Sequence, residues 1–499
     1  MASRRPLAPV LRGARLLVAA LAALVVVSGL AVTAPRADAA GAPAKSFVQR
    51  TGSTLTLDGA PFRFSGTNIY WLGLDDNVRD AAGAPTYPSK FRVEDAFRAA
   101  QASGGTVVRT WGGLVGCARC IQPAPGVFQA GAFDSLDFAV ATAARYRQRL
   151  IITLVDNWDY YHGNKSTFSS WRGLPESAFF SDPTVIADYQ AYISHVVSHV
   201  NPYTGLRYAD DPTIMGWQTG NEMWCQTCAG NFWDGSWTRA VADHIERVAP
   251  RQLVVDGHGT DPACRTDCLH EPSLDIASVD IVDDHFYPMQ LDRVRSSAAT
   301  ALRHGKAYLV GEYAWNGAQG GEPLAAFLDA VRTSGAAGAL TWSVVPHHDT
   351  AGFVDHDDGY QYFFPGRTAD ERARTTTLQA FARAMGAPEP PRWAVPPTPC
   401  GLSVSRTATG HALSWRGASP AVAYVVQRLD RSTPGATWQD VTWHATDQRV
   451  ARGPLFTDTS VTARLSPVLA YRVAGLSATR VLGAWSAGAD TGTRTACAG

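Results

Sequence analysis

The chain has 499 residues, and its 44 Lys and Arg side chains balance 44 Asp and Glu side chains, so its formal charge at pH 7 is zero. This balance argues against a polyanionic partner, and we expect no binding of nucleic acid. Hydrophobic residues make up 45% of the sequence, which excludes a disordered chain. The length exceeds what one hydrophobic core usually serves, so we expect a globular protein of two domains.

The N-terminus has the layout of an export signal. Four arginines, at positions 4, 5, 12 and 15, precede an apolar run from Leu16 to Val32, and the small-residue site Ala37-Asp38-Ala39 follows. This order predicts a signal peptide over residues 1–39 and a secreted, extracellular mature chain. The alternative is a membrane anchor, because the run approaches the shortest length that spans a bilayer. No later segment is long and apolar enough for a span, so we expect no membrane association after cleavage.

The cysteines point in the same direction. All eight fall into four groups: Cys117 with Cys120, Cys225 with Cys228, Cys264 with Cys268, and Cys400 with Cys497 at the two ends of the C-terminal region. Export favours disulfide bonds, and we expect all eight to form them. Two Cys-x-x-Cys pairs could instead build a zinc site, and the spacing alone leaves the connectivity open.

Residues 387–399 divide the chain. This stretch contains six prolines, which exclude helix and central strand and predict a stiff linker. After it, residues 400–499 show short alternating or β-branched runs separated by Gly, Pro and Asp, a pattern typical of a small β-sandwich. Trp415 on an early strand and Tyr471-x-Val473 on a late one resemble a fibronectin type III domain. We expect this domain to fold on its own and to be dispensable for the activity of the preceding domain on short substrates.

Before the linker, residues 40–386 alternate between strand and helix patterns. Eight apolar, β-rich runs predict strands over 62–70, 106–111, 149–157, 213–222, 252–257, 279–287, 307–313 and 339–344. Apolar spacing of three and four residues predicts helices over 93–102, 133–147, 183–200, 236–248, 291–303 and 323–333. Eight such units predict an α/β fold, the (β/α)8 TIM barrel. A doubly wound open sheet is the alternative, and the lack of a Gly-x-Gly-x-x-Gly motif after the first strand disfavours it.

Two glutamates close apolar runs of this predicted barrel. Glu222 ends the fourth run and Glu312 the seventh, and these strands face each other across the mouth of an eight-stranded barrel. Two carboxyl groups over one pocket suit cleavage of a glycosidic bond, where one protonates the leaving oxygen and the other attacks the anomeric carbon or activates water. For either glutamate alone, a surface ion pair is the alternative.

Further motifs at the predicted strand ends carry a family resemblance. They are Gly66-Thr67-Asn68-Ile69-Tyr70-Trp71, Arg109-Thr110-Trp111-Gly112, Asn157-Trp158, Asn221-Glu222, His285-Phe286-Tyr287-Pro288 and Val310-Gly311-Glu312-Tyr313. With them, residues 46–385 resemble a family 5 glycoside hydrolase, and within that family they most resemble the endo-β-1,4-mannanases. The motif after Glu222 departs from the family, because Met223 stands where Pro is common.

The resemblance implies a retaining mechanism in which Glu222 is the acid/base and Glu312 is the nucleophile. In this reading Arg109 and the Tyr287 hydroxyl would lower the pKa of the nucleophile. Asn221 would bond the 2-hydroxyl of the bound sugar, and the ring of Trp342 would stack beneath it. The implied substrate-binding set is Arg109, Trp111, Asn157, Trp158, Asn221, His285, Tyr287 and Trp342.

The sequence therefore predicts a secreted enzyme that cleaves internal β-1,4 bonds of mannan-type polysaccharides. The alternatives are a β-1,4-glucanase of the same family and a carbohydrate-binding protein without activity. We expect a β-linked polysaccharide or oligosaccharide as the substrate, no cofactor and a monomer. A loop rich in His and Asp, residues 346–359, could bind a metal, but its spacing matches neither an EF-hand nor a His-x-x-x-His helix, and we interpret it as a polar rim of the cleft.

Overall fold

The computed structural model describes residues 45–225, 228, 234–259, 263–356, 358–388, 395–449, 453–461 and 468–497. The predicted signal peptide, residues 1–39, lies outside the described residues. Part of the predicted linker, residues 389–394, also lies outside them. Among the helices of the described ranges, none is long and apolar enough to cross a bilayer.

Eight parallel strands close into a barrel, which confirms the predicted fold. They are β1 Phe64–Asn68, β2 Val107–Trp111, β3 Arg149–Thr153, β4 Ile214–Gln218, β5 Leu253–Asp256, β6 Ile281–Phe286, β7 Ala307–Tyr313 and β8 Gly338–Thr341. Each strand pairs with its neighbours in chain order, and β8 returns to pair with β1. Every residue of these strands except Arg149 is buried, as expected for strands that face the barrel interior on one side and helices on the other.

The helices of the described chain are α1 Lys90–Ala102, α2 Asp134–Arg145, α3 Lys165–Trp171, α4 Ala178–Ser181, α5 Pro183–Ser198, α6 Ser236–Val248, α7 Glu271–Leu274, α8 Leu291–Arg303, α9 Leu324–Thr333 and α10 Ala369–Ala384. All six predicted helices are present. Polar caps fix several of their starts: Asp182 accepts from two backbone amides of α5, whose first residue is Pro183. Short 3-10 helices cover Tyr70–Leu72, Ala130–Phe133 and Tyr208–Asp210.

A small sheet closes the N-terminal end of the barrel. Its antiparallel strands are Gln49–Thr51, Thr54–Leu57 and Ala60–Pro61. Val48 and Leu55 pack in one buried cluster with barrel-interior residues that include Met215. Because this end is covered by apolar contacts, the open mouth lies at the C-terminal ends of the strands. A second small pair, Asp75–Arg79 with Pro85–Thr86, lies between β1 and α1.

The C-terminal region contains two antiparallel sheets, as the sequence predicts. Its strands are β9 Cys400–Thr407, β10 Gly410–Arg416, β11 Ala423–Asp430, β12 Gln439–Ala445, β13 Phe456–Asp458, β14 Leu469–Leu476 and β15 Ala489–Asp490. One sheet has the order β9-β10-β13 and the other β12-β11-β14-β15. Trp415, Tyr471 and Val473 lie in its core, while the fibronectin type III resemblance stays a prediction. The sandwich and the barrel belong to one compact unit.

The cysteines form four disulfide bonds. The pairs are Cys117–Cys120, Cys225–Cys228, Cys264–Cys268 and Cys400–Cys497. This confirms the predicted disulfides and excludes the zinc alternative for the two Cys-x-x-Cys pairs, because each of the eight sulfurs is bonded to the sulfur of its partner cysteine.

Candidate active site

The two glutamates meet at the open mouth of the barrel, but they are held differently. Glu312 lies within β7, whereas β4 ends at Gln218, so Glu222 lies four residues beyond its strand rather than at its end. Isolated bridges from Asn221 to Asp156 and from Met223 to His258 hold this extension between its neighbours. The sequence prediction of a strand to residue 222 was therefore too long, because the extension makes single bridges instead of a continuous ladder.

The carboxyl groups of Glu222 and Glu312 share one imidazole. His285 Nδ1 lies 2.8 Å from Oε1 of Glu222 and 3.5 Å from Oε2 of Glu312. One carboxylate oxygen of each glutamate and one imidazole nitrogen all lie within 4.8 Å of one another. Burial would lower the pKa of His285, but Glu312 and Asp283 outweigh it and raise that pKa to about 10. His285 is therefore an imidazolium at neutral pH.

Arg109 connects the two sides of the mouth. Its guanidinium is fully buried and donates to Oε1 of Glu312 at 2.7 Å and to Oδ1 of Asn221 at 2.7 Å. It also donates to Gln218 at 2.6 Å and to Asn68 at 3.0 Å. One planar group thus fixes the nucleophile candidate and the residue before the acid/base candidate in a single geometry.

The two glutamates have opposite pKa shifts in the free protein, and the expectation of a lowered pKa for the nucleophile candidate is wrong, because burial outweighs its hydrogen-bond donors. Burial raises the pKa of Glu312 to about 7, against the opposing effects of His285 and Arg109 and a 3.0 Å hydrogen bond from the Tyr287 hydroxyl. Burial would also raise the pKa of Glu222, but hydrogen bonds from His285 and from Trp158 lower it instead. The hydrogen bond from Trp158 Nε1 to Oε2 of Glu222 is 2.6 Å long.

Aromatic rings form one wall of the cleft. The ring of Trp342 stacks on Tyr70 with centroids 5.3 Å apart and meets Trp111 edge-on at 5.6 Å. The indole N–H of Trp342 donates to Oδ2 of Asp358 at 2.6 Å, which fixes the ring plane. Trp111 is buried and donates to Asp156 at 2.9 Å, so it supports Trp342 from below.

Residues 45–292 match the family model described as GH family 5 beta-mannosidase-like. The chain is 31% identical over 383 residues to "Putative mannan endo-1,4-beta-mannosidase 5" of Oryza sativa subsp. japonica, an alignment that covers 65% of this chain and 74% of the relative. The chain belongs to glycoside hydrolase family 5. It is also 30% identical over 253 residues to mannan endo-1,4-beta-mannosidase 3 of Arabidopsis thaliana, which covers 49% of this chain and 59% of that relative.

The fold of this family 5 chain also matches solved structures. The hyperthermostable endo-1,4-beta-D-mannanase of Thermotoga petrophila RKU-1 aligns with a TM-score of 0.54 and 24% identity, over 64% of this chain and 100% of that structure. The match supports the barrel architecture on which the site is built.

The structure brings most of the predicted site residues of this family 5 barrel to one place. Around Glu222 and Glu312 it gathers Arg109, Trp158, Asn221, His285 and Tyr287, with Trp342 and Trp111 in the aromatic wall. Asn157 differs: its amide oxygen accepts from the ammonium of Lys165 and from the backbone amide of Trp224 at 2.9 Å. These contacts tie the segment after β3 to the segment after Glu222, and a direct contact of Asn157 with sugar stays a prediction.

Several residues that hold the site are absent from the sequence-based set. They are Asn68, Asp156, Gln218, Asp283 and Asp358. Asn68, Asp156 and Gln218 are polar residues at or just beyond the ends of apolar strands, so the rule that identified the two glutamates also applies to them, whereas Asp283 lies inside β6. Asp358 belongs to the His- and Asp-rich loop. In its described part that loop forms no cluster of three metal-ligand side chains, and Asp358 bonds Trp342 at the rim.

Proposed function

We propose that this chain is an endo-β-1,4-mannanase that acts by a retaining double displacement. The observation that carries the proposal is the pair of carboxylates, Glu222 and Glu312, with oxygens within 4.8 Å of each other on either side of His285. Retaining glycosidases keep their carboxyl groups about 5 to 5.5 Å apart, whereas inverting enzymes need room for a water between them. The spacing in this site favours direct attack by a carboxylate.

In the first step the Glu312 carboxylate attacks the anomeric carbon, the glycosidic bond breaks, and Glu222 gives its proton to the departing oxygen. In the second step Glu222 takes a proton from water, whose oxygen attacks the same carbon and releases Glu312. Arg109 supports the ionised form of Glu312 through its 2.7 Å hydrogen bond, and Tyr287 donates to the other oxygen.

The acid role requires Glu222 to carry a proton when the substrate is bound, although its pKa is lowered in the free protein. Oε2 of Glu222, the oxygen bonded by Trp158, faces a half-exposed indole that a sugar can displace. Displacement removes one hydrogen bond that favours the ionised carboxylate, and burial under the sugar further favours the proton. Substrate binding therefore prepares Glu222 to act as an acid.

Azide rescue distinguishes the two glutamates. We expect E312A and E222A each to abolish mannan hydrolysis. On an aryl β-mannobioside with a good leaving group, azide should restore turnover in both variants. E222A should form the β-mannobiosyl azide, because azide then attacks the covalent intermediate. E312A should form the α-mannobiosyl azide by direct displacement.

The control for azide rescue is E246A, which alters an exposed glutamate of α6 and should behave as wild type. The same anomer from both catalytic variants would refute the assigned roles.

The substrate class is tested on the wild-type protein. We expect release of reducing sugar from mannan and glucomannan at rates well above that from carboxymethylcellulose, with internal cleavage seen as a fast fall in viscosity. Hydrolysis of carboxymethylcellulose alone would favour the glucanase alternative. Mannan binding with no hydrolysis would favour the non-catalytic alternative.

We also propose that the mature chain is secreted as a monomer, starting at Ala40 and divided into a catalytic domain over 40–386, a linker over 387–399 and the sandwich over 400–499. Four disulfide bonds support export, because such bonds persist in oxidising compartments. N-terminal sequencing of protein from the culture medium tests the cleavage site. Light scattering of the same sample tests the oligomeric state.

A further inference from the structure

The segment after β8, residues 343–364, joins the sandwich to the active site. At one end its first half lies against the sandwich, and at the other its second half lies beside the aromatic wall. Both contacts are made by side chains that the family resemblance leaves unassigned.

The first half is held through His347, a fully buried residue. Its Nε2 lies 2.9 Å from Oδ2 of Asp447 in the sandwich, and its Nδ1 lies 2.7 Å from Oδ2 of Asp95 in helix α1. Oδ1 of Asp95 accepts the backbone amide of Ser419, a sandwich residue, at 2.6 Å. His347 thus lies between one carboxylate from each part of the molecule, with both carboxylates buried.

Backbone contacts extend this junction. The amide of Phe353 donates to the carbonyl of Arg449 at 2.9 Å, and Phe353 also packs on the His347 ring with centroids 4.0 Å apart. At the far end of the segment, Gln448 donates to the carbonyl of Phe364 at 3.0 Å. Residues 447–449 of the sandwich therefore contact the segment both at Phe353 and at its end, Phe364.

The second half reaches the catalytic mouth. Asp358 accepts the indole N–H of Trp342 at 2.6 Å and the backbone amide of Tyr360 at 2.8 Å. The ring of Tyr360 packs edge-on against Tyr287, with centroids 4.9 Å apart, and Tyr287 bonds Glu312. The orientation of both Trp342 and Tyr287 depends on where this half of the segment lies.

We propose that the sandwich is a positioning element of the active site, in which Asp447 holds His347 and thereby the segment that orients Trp342 and Tyr287. Asp447 and His347 are positioning residues, since neither touches the cleft residues directly. The proposal rests on the proposed function, because its test measures the hydrolysis of mannohexaose. It differs from the sequence-based expectation that the sandwich is dispensable for short substrates.

A double-mutant cycle on the full-length protein tests the proposal, with kcat and KM measured on mannohexaose. D358N leaves one acceptor oxygen for two donors, the Trp342 indole and the Tyr360 amide, so one of these hydrogen bonds is lost. It should lower kcat/KM about tenfold, since a small misplacement of a binding group is costly in rate. D447N should lower it about threefold to tenfold, with no added loss in the D447N/D358N pair, because both act on one segment.

The matched control is D490N, which breaks a surface ion pair with Arg431 within the sandwich. It should leave kcat/KM near wild type, alone and with D358N. Near-UV circular dichroism shows whether each variant is folded. If D447N does not fold, Q448A replaces it. Q448A should cause a smaller loss of kcat/KM, and the Q448A/D358N pair should show no loss beyond that of D358N alone.

Wild-type kcat/KM in D447N would overturn the proposal, and Q448A takes its place if D447N is unfolded. The proposal would also fail if the loss of kcat/KM in the double variant equalled the product of the two single losses. Absence of wild-type hydrolysis would instead refute the proposed function. In that case the affinity for mannohexaose, measured by calorimetry on the same variants, replaces kcat/KM in the double-mutant cycle. It still tests whether the sandwich positions the aromatic wall.

Discussion

The indole N–H of Trp158 donates to Oε2 of Glu222 at 2.6 Å, although 40% of the Trp158 residue surface is exposed to solvent. The other oxygen of the same carboxylate faces His285 at 2.8 Å. Glu222 is therefore bonded on one side by a buried cation and on the other by a group at the cleft surface. Only the second bond can be exchanged for a substrate without disturbing the barrel.

This arrangement predicts the effect of W158F on the pH profile. The variant keeps an aromatic ring but loses the donor that stabilises the ionised form of Glu222, so the pKa of Glu222 in the free enzyme should rise. Because the lowered pKa of Glu222 lies below the pKa of about 7 of Glu312, ionisation of Glu222 sets the acid limb of kcat/KM, and this limb should move to higher pH by up to about one unit. W443F is the control, because Trp443 is similarly exposed and donates to Asp440 in the sandwich. An unmoved acid limb in W158F would show that Glu222 is not the group that titrates there.

Tyr287 should affect the opposite limb. Its hydroxyl donates to Glu312 at 3.0 Å, and this bond lowers a carboxyl pKa that burial raises to about 7. In Y287F that pKa should rise further, so the basic limb of kcat/KM, which the higher of the two carboxyl pKa values sets, should move to higher pH by about one unit or less. Y203F is the matched control, because it removes a tyrosine hydroxyl that donates to Asp134 on the surface. An unmoved basic limb, or one that moves to lower pH, would show that Glu312 is not the group that titrates there.

Arg109 should not tolerate replacement by lysine. Its guanidinium reaches four acceptors in different directions, and an ammonium offers three donors from one point. We expect R109K to lower kcat by about a hundredfold and stability by about 1 to 3 kcal/mol, because buried acceptors lose their partners. R295K, at an exposed surface ion pair, should match the wild type in both. Hydrolysis kinetics and urea unfolding measure the two effects. A wild-type kcat in R109K would show that catalysis does not depend on the guanidinium of Arg109.

Local patterns in the sequence predict the barrel well. The eight strands are apolar runs between helices with regular apolar spacing, and α6 and α8 have the predicted bounds of 236–248 and 291–303. The position of Glu312 follows, because it lies within a predicted strand. Glu222 is placed less well, because the residues after Gln218 extend by single bridges that no periodicity marks.

Contacts between distant parts of the chain could not be predicted in this way. His347 pairs with Asp95 and Asp447, which lie 252 and 100 residues away. A single sequence reports the period of a strand or helix, but nothing in it states which buried carboxylate meets which histidine. For the His- and Asp-rich loop, residues 346–359, the sequence predicts a polar rim. Asp358 fits this prediction, because it bonds Trp342, whereas His347 is buried.

The buried triad of His347, Asp95 and Asp447 predicts a pH dependence of stability. Burial would lower the pKa of His347, but the two carboxylates raise it to about 10, and hydrogen bonds to His347 lower the pKa of Asp95 against the effect of burial. Among the other groups at the triad, burial holds the pKa of the Tyr424 hydroxyl well above its usual value, so it stays protonated, and burial lowers the pKa of Arg416. Below the unfolded pKa of about 6.5 the contribution of His347 is complete, and it is lost as the pH rises towards 10.

The reference for this pH effect is the triple variant H347Q/D95N/D447N, which has no titrating group at these positions. The free energy of unfolding of the wild type should exceed that of this variant by a few kcal/mol between about pH 4 and 6.5. The difference should shrink above pH 6.5 as the histidine in the unfolded chain no longer takes up a proton, and it should also shrink below pH 4 as Asp95 is protonated. Urea unfolding across this pH range measures it. A difference that stays constant from pH 6.5 to 10 would show that His347 is not an imidazolium at the junction between barrel and sandwich.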